Sequence, residues 1–242
     1  MSESADATES VSERERDFEK LGREIEVAAR EQGGDRDENP RLDLVVRQAR
    51  EANMPQDRIA AAIDRGLSGD SELEETSFEG YGPHGVAVFV EAVTDDRSRT
   101  AEELAELFEQ HDGNLGEDGC VAWQFELRGL VRVAASSVDD EDMLMMAALD
   151  AGAEDVRQPL YERSDTEETP VYRVYCDHED LRDVADALAE SGYDVRSATR
   201  VREATQSVGL EADEARTFLN FYEKISRHPD VQSAYANWSS AS

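Results

Sequence analysis

Apolar residues in the first quarter of the chain recur at steps of three and four. Phe18, Leu21, Ile25 and Ala28 or Ala29 lie on one face of a helix predicted over residues 13–32. Gly33 and Gly34 stop it. Asn39 reads as an N-cap with Pro40 at the first helical position, opening a second helix. That helix turns Leu42, Val45, Val46 and Ala49 inward and ends near Asn53. Pro55 starts a third, with Ile59, Ala62 and Ile63 inward and Gly66 at its end. Residues 13–66 thus form a three-helix unit. Residues 1–12, polar and acidic, read as a disordered tail, and 67–76 as an acidic linker.

Beyond this the pattern alternates between strand and helix. Strands are predicted over 86–93, 121–127, 130–135, 155–161, 171–176, 193–201, 205–210 and 231–237, and helices over 100–111, 139–151, 179–191 and 212–226. Thr100-x-x-Glu103 reads as a capping box. Gly80–Gly85 and Gly113–Gly116 read as turns, the second needing positive φ. Residues 162–170 read as an exposed loop, and Arg128-Gly129 as a tight link between strands. Residues 130–201 spell β-α-β-β-α-β, the split pattern of a ferredoxin-like unit. The flanking β-α-β stretches, joined in space, make a second. The expected fold is therefore α+β: an N-terminal three-helix domain, then two ferredoxin-like βαββαβ domains, one inserted in the other. The boundaries are a tail over 1–12, helical domain and linker over 13–76, a split domain over 77–129 plus 203–242, and an insert over 130–202.

Charge changes this picture. The 242 residues carry a formal net charge of -32. Lys20 and Lys224 are the only lysines. Acids are spread along the chain, as in proteins adapted to a salty cytoplasm, where screening shortens the Debye length to roughly 3 Å at molar salt. No apolar run could span a bilayer and no signal-peptide core opens the chain, so a cytoplasmic location without membrane contact is expected. Cys120 and Cys176 read as lone buried thiols. His84, His111, His178 and His228 are scattered, and HExxH, Cys-x-x-Cys and G-x-S-x-G are missing. No catalytic residue, metal, cofactor or small-molecule substrate is expected. The chain reads as no enzyme.

Residues 13–66 hold 11 basic and 14 acidic side chains, a net of -3, whereas residues 67–242 carry -26. The helical domain is thus the least repulsive surface for a polyanion. Arg47 and Arg50 share a helix face and Arg58 can join them. The guanidinium fork suits phosphate; a solvated face with intrahelical ion pairs is the alternative. Replacing these three should leave the fold almost unchanged. Arg97 and Arg99, beside a helix N-terminus, are second candidates, though a helix cap with local ion pairs to Asp95 and Asp96 is the more ordinary role. Trp123 and Phe125 share a strand face and could stack bases, though core packing is the more ordinary role.

Five motifs occur in order: N-M-P at Asn53–Pro55, I-x-x-A-I-x-R-G at Ile59–Gly66, G-Y-G-P-H-G at Gly80–Gly85, D-R-S-R-T at Asp96–Thr100, and G-N-L-G-x-x-G-x-V-A-W-x-F at Gly113–Phe125. Together they resemble the YebC/PmpR family, which includes a mitochondrial translational activator of cytochrome c oxidase subunit I. The resemblance implies one helical and two related α+β domains. It also implies a regulator of gene expression, either a DNA-binding transcriptional regulator or a ribosome-associated translation factor. Its partners would be DNA, rRNA or the ribosome; the oligomeric state is left open. The family's short basic N-terminal segment is replaced here by the acidic Ser2–Ser12, and His84 stands where glycine is common. An acidic protein-interaction scaffold without nucleic acid is the alternative.

Overall fold

The computed structural model describes residues 3–69, 72–163 and 168–240. Two compact units are each assembled from separated stretches. The first gathers the chain up to Leu21 with Gln32–Ala60 and Leu127–Val201; the second gathers Gly22–Glu31, Ala61–Glu126 and the chain from Arg202.

Helix α1 spans Glu3–Gln32, α2 Pro40–Glu51 and α3 Gln56–Ser68. α1 starts well before Glu13 and takes in residues 3–12, expected as a tail. That stretch contains neither Gly nor Pro, and nothing breaks the helix until Gly33, at φ +91. Asn39 caps α2 as expected, accepting from the Leu42 N–H at 3.0 Å. Its own amide donates to the Gly33 carbonyl at 2.8 Å, so one buried side chain closes both ends of the α1–α2 turn. The N-M-P motif is the next turn. Asn53 takes φ 60, Met54 is buried, and the Pro55 carbonyl accepts from the Arg58 and Ile59 N–H groups.

In the first unit, β4 (Phe125–Ala134, from Leu127 onwards), β5 (Asp155–Arg163), β6 (Glu168–Cys176) and β7 (Val195–Ala204, up to Val201) form a sheet ordered β5-β6-β4-β7. Read by position among these strands, that is second-third-first-fourth, the ferredoxin-like order. Helices α5 (Glu141–Asp150) and α6 (Leu181–Glu190) cover one face, burying Leu144, Ala148, Leu181, Val184 and Leu188 with Val131, Val133 and Val174. β4 runs through the expected link without a break, because Gly129 stays paired with Cys176. Burial pushes the Cys176 thiol up to about 11. The centre of the loop expected over 162–170, residues 164–167, lies outside the described residues. Among the described residues, no helix is long and apolar enough to cross a membrane.

In the second unit, β1 (Glu74–Tyr81), β2 (Ala87–Thr94), β3 (Asn114–Leu115) and β9 (Val231–Ala236) form an antiparallel sheet ordered β3-β1-β2-β9. Helices α4 (Arg97–Glu109) and α7 (Ala212–Ser226) pack with Phe78, Val88 and Val90 through Leu104, Phe108, Phe218, Phe221 and Ile225. Ala87 and Phe89 bury the opposite face against Val121 and Phe125. A short parallel ribbon pairs β8 (Val208–Leu210) with β10 (Trp238–Ser240).

Four expectations are corrected here. β1 occupies part of the expected linker and turn. Its sequence is acidic, but Phe78 supplies a core contact and Gly80 lets the backbone approach Asn114, whose carbonyl oxygen would lie 2.6 Å from an added Cβ. The strand expected over 121–127 begins only at Phe125; Ala122–Gln124 is a 3-10 turn. The buried Glu79 carboxylate explains this, because it accepts the N–H groups of Gly119, Val121 and Ala122, each at 2.7 Å. Those donors are lost to any ladder. Finally, α4 is capped by Asp96, which accepts from Ser98 and Arg99, and not by Thr100. The positive φ expected of Gly113–Gly116 falls instead on Asp112, His84 and Gly119, among others. His84, at φ 63, holds a left-handed conformation that costs glycine nothing, which fits glycine being common there.

Candidate nucleic-acid interface

The arginines singled out in the sequence are mostly engaged within the chain. Arg47 on α2 bridges the buried Asp43 at 2.8 Å and Asp186 of α6 at 2.6 Å. The bond to Asp186, partly offset by burial, raises its already high pKa further. Arg36 also bonds Asp43. Arg47 is therefore part of how α2 is held, and its replacement is expected to cost stability, where the sequence alone suggested an almost unchanged fold. Arg58 pairs with Glu15 at 2.8 Å and lies over the Phe18 ring at 5.5 Å. Arg50 is exposed, with no ion pair among the described residues.

Arg97 and Arg99, both in the first turn of α4, diverge. Arg97 donates to Thr76 at 2.8 Å and to both oxygens of Asp118 at 3.1 Å, over the Phe78 ring. Arg99 bonds Asp95 and the buried Asp230, each at 2.8 Å. Asp230 is a hub. Arg23 meets its other oxygen at 2.6 Å, and the Thr100 hydroxyl donates at 2.8 Å. Burial alone would raise the Asp230 carboxyl; Arg23, Thr100 and Arg99 overcome it and hold the group below the ordinary carboxylate range. The D-R-S-R-T motif thus ties α4 to the residue before β9. Glu103, His228 and Asp230 come close enough to suggest a metal trio, but both Asp230 oxygens already accept hydrogen bonds from cations.

Cations also gather where no motif pointed. In the first unit's sheet, Val131, Val133 and Val174 face the helices, so their alternating neighbours face the other way. There Arg132 is directly opposite Arg173, and Arg173 directly opposite Arg157. Arg128, four residues before Arg132, shares this face. Arg128 and Arg157 both lie over the Tyr175 ring, at 5.2 and 4.2 Å from its centroid. Glu154 meets Arg128 at 2.6 Å and Asp155 meets Arg157 at 2.8 Å. Arg132 donates to Thr199 on β7 at 3.2 Å. Like charges directly opposite on neighbouring strands repel. The Arg173 Nε is buried without a hydrogen-bond partner among the described residues. The spacing Arg128-x-Leu130-x-Arg132 puts two cations on one strand face, but only register adds the other two.

Trp123 and Phe125 part company. Phe125 is buried, while Trp123, in the 3-10 turn, is 68% exposed with its indole N–H on the Cys120 carbonyl at 3.2 Å. Core packing is therefore the role of Phe125 alone.

Two family descriptions match the chain: the TACO1/YebC protein N-terminal domain over residues 8–69, and the TACO1/YebC second and third domain over 73–238. Proteins named probable transcriptional regulatory protein are similar over most of its length. That of Dictyoglomus turgidum is 43% identical over 223 residues, covering 91% of this chain and 86% of the relative. That of Rubrobacter xylanophilus is 43% identical over 224 residues, with the same coverage. The crystal structure of a conserved hypothetical protein from Aquifex aeolicus superposes with a TM-score of 0.85 at 34% identity, covering 96% of this chain and 93% of that one.

Proposed function

We propose that this chain, which belongs to the TACO1/YebC family, is a non-enzymatic cytoplasmic regulator of gene expression that contacts RNA through its phosphate backbone, most simply on the ribosome. The observation that carries this reading is the row of Arg132, Arg173 and Arg157 across three adjacent strands of a chain with net charge -32. Guanidinium groups bind phosphate in a planar fork and also stack on bases. Arg50 and Arg58 on the helical segments are proposed as further contacts, and exposed Trp123 as a stacking side chain. Arg47, Arg97 and Arg99 serve first as internal ion pairs. On α2, Gln48 lies between Arg47 and Arg50, but its amide is spent on the Ala198 carbonyl at 3.0 Å instead of being offered to base edges, which favours RNA backbone contact over an operator sequence.

Co-sedimentation of the full chain from its native lysate tests this. The protein is expected in the ribosomal fraction, to leave it on RNase treatment and to be unaffected by DNase. Release by DNase instead would make it a DNA-binding regulator. Absence from both fractions would favour the acidic scaffold.

The acidic surface is proposed as salt adaptation. Circular dichroism should show cooperative unfolding in molar potassium chloride and a loosened fold at low salt, where carboxylates repel unscreened. Equal melting temperatures in both would discard the idea.

A further inference from the structure

Helix α5 leaves its apolar side chains on the wrong side. Among the described residues, eight large apolar side chains stand exposed, and four are on this one helix: Met143, Met145, Met146 and Leu149, at 57%, 40%, 60% and 55%. Leu144 and Ala148 alone are its buried residues. At 100° per residue, the four exposed side chains make a continuous outward stripe opposite them. Three of the chain's five methionines are in it. Methionine is unbranched and polarizable, and suits a surface that must fit a partner's side chains.

Every charged residue on α5 and in the segments that flank it is acidic. Residues 138–155 contain seven Asp or Glu and neither Lys, Arg nor His. Asp142 and Asp150 fall on the same outward arc, one at each end of the stripe. Acids suit the first turn of a helix, but Asp150 is in the last turn, where the helix dipole disfavours it and no base accompanies it. Local helix stability does not account for that residue; a cation arriving from outside does.

We propose that the α5 face is a docking site for a basic amphipathic helix of a partner protein, its apolar side seated on Met143, Met146 and Leu149 and its cations on Asp142 and Asp150. Helix-on-apolar-stripe binding uses anchors at steps of three and four, which is the spacing of 143, 146 and 149. A second copy of this chain is a poor occupant, because it would bring acids against acids. The inference goes beyond the RNA reading and does not depend on it.

The probe is a labelled synthetic peptide of leucine and lysine arranged as an amphipathic helix, followed by fluorescence anisotropy with the full chain. A scrambled peptide of the same composition, without an apolar side, is the control. The amphipathic peptide should bind and persist in 1 M potassium chloride, whereas the scrambled one should be lost there. Met143→Gln with Met146→Gln and Leu149→Gln should weaken binding by about tenfold or more, with RNA association unchanged. Glutamine keeps helix propensity at these exposed positions, so the fold should hold. Should that variant unfold, Asp142→Lys with Asp150→Lys gives the same reading through charge. No binding by the parent chain, equal binding of the scrambled peptide, or binding unaffected by either variant would overturn the proposal. So would sedimentation showing a dimer of the parent chain that the glutamine variant dissolves, since the occupant would then be a second copy.

Discussion

Reversing Arg132 and Arg173 to glutamate is expected to lower affinity for single-stranded RNA by about a hundredfold or more. The two residues are directly opposite on β4 and β6, Arg173 at the centre of the arginine row and Arg132 at its β4 end. A hydrogen bond to a charged group contributes about 1.5–3 kcal/mol, so losing two costs about 3–6 kcal/mol, and each 1.4 kcal/mol is tenfold. Reversal adds repulsion of phosphate. The salt dependence should change too: each lost phosphate contact on a single strand flattens the logarithmic slope by about 0.7. A poly-uridine oligonucleotide titrated at several salt concentrations measures both quantities. Because Arg132 also donates to Thr199, the Arg132→Gln, Arg173→Gln pair is the control that keeps polarity while removing charge. It should sit between parent and reversal. If a folded reversal variant binds as the parent does, the sheet face is not the interface, and Arg50 with Arg58 becomes the surface to change next.

Replacing Asp230 with asparagine should be the most destabilising single change in the second unit. The carboxylate is buried and holds Arg23 of α1, Arg99 and Thr100 of α4 and, through them, the start of β9. Removing one partner of a buried pair costs about 3–5 kcal/mol; Arg23 and Arg99 reach solvent in part, so the lower end, ~3 kcal/mol, is expected. At about 2–4 °C per kcal/mol for a chain of this size, the melting temperature should fall by about 6–12 °C. The pH dependence has a definite sign. Asp230 is held below its unfolded value, so its contribution is complete above the unfolded carboxylate range near ~4 and is lost as pH falls through the lower folded value. The parent should lose stability on acidification over that window, and the asparagine variant should lose less there. A variant melting within about 1 °C of the parent at neutral pH would show that the hub does not hold these elements together.

Much of this protein was legible in its sequence because the relevant forces are local. Step-three-and-four periodicity marks α2 and α3, and the Asn39-Pro40 pair sets the start of α2 with its cap in the right place. The β-α-β-β-α-β order of residues 130–201 implied a ferredoxin-like sheet, and the strand order β5-β6-β4-β7 has that form. The five motifs sufficed to identify the family. Three of them turn out to be structural fastenings: the Asn53 turn, the Gly80 approach and the Asp96–Thr100 links.

What the sequence could not decide depends on partners distant along the chain. Glu79 reads as one more acid in an acidic stretch until its carboxylate collects three backbone donors some forty residues away, and so converts the expected strand start into a turn that exposes Trp123. Arg99 reads as a phosphate contact or a local partner of Asp95 and Asp96, and only the fold brings in Asp230 from 131 residues away. Arg132, Arg173 and Arg157 read as three unrelated cations until strand register sets them side by side. Periodicity tells which way a side chain faces, since that is a property of the local backbone. Which charges become neighbours is a property of register and packing, and only the assembled sheet supplies it.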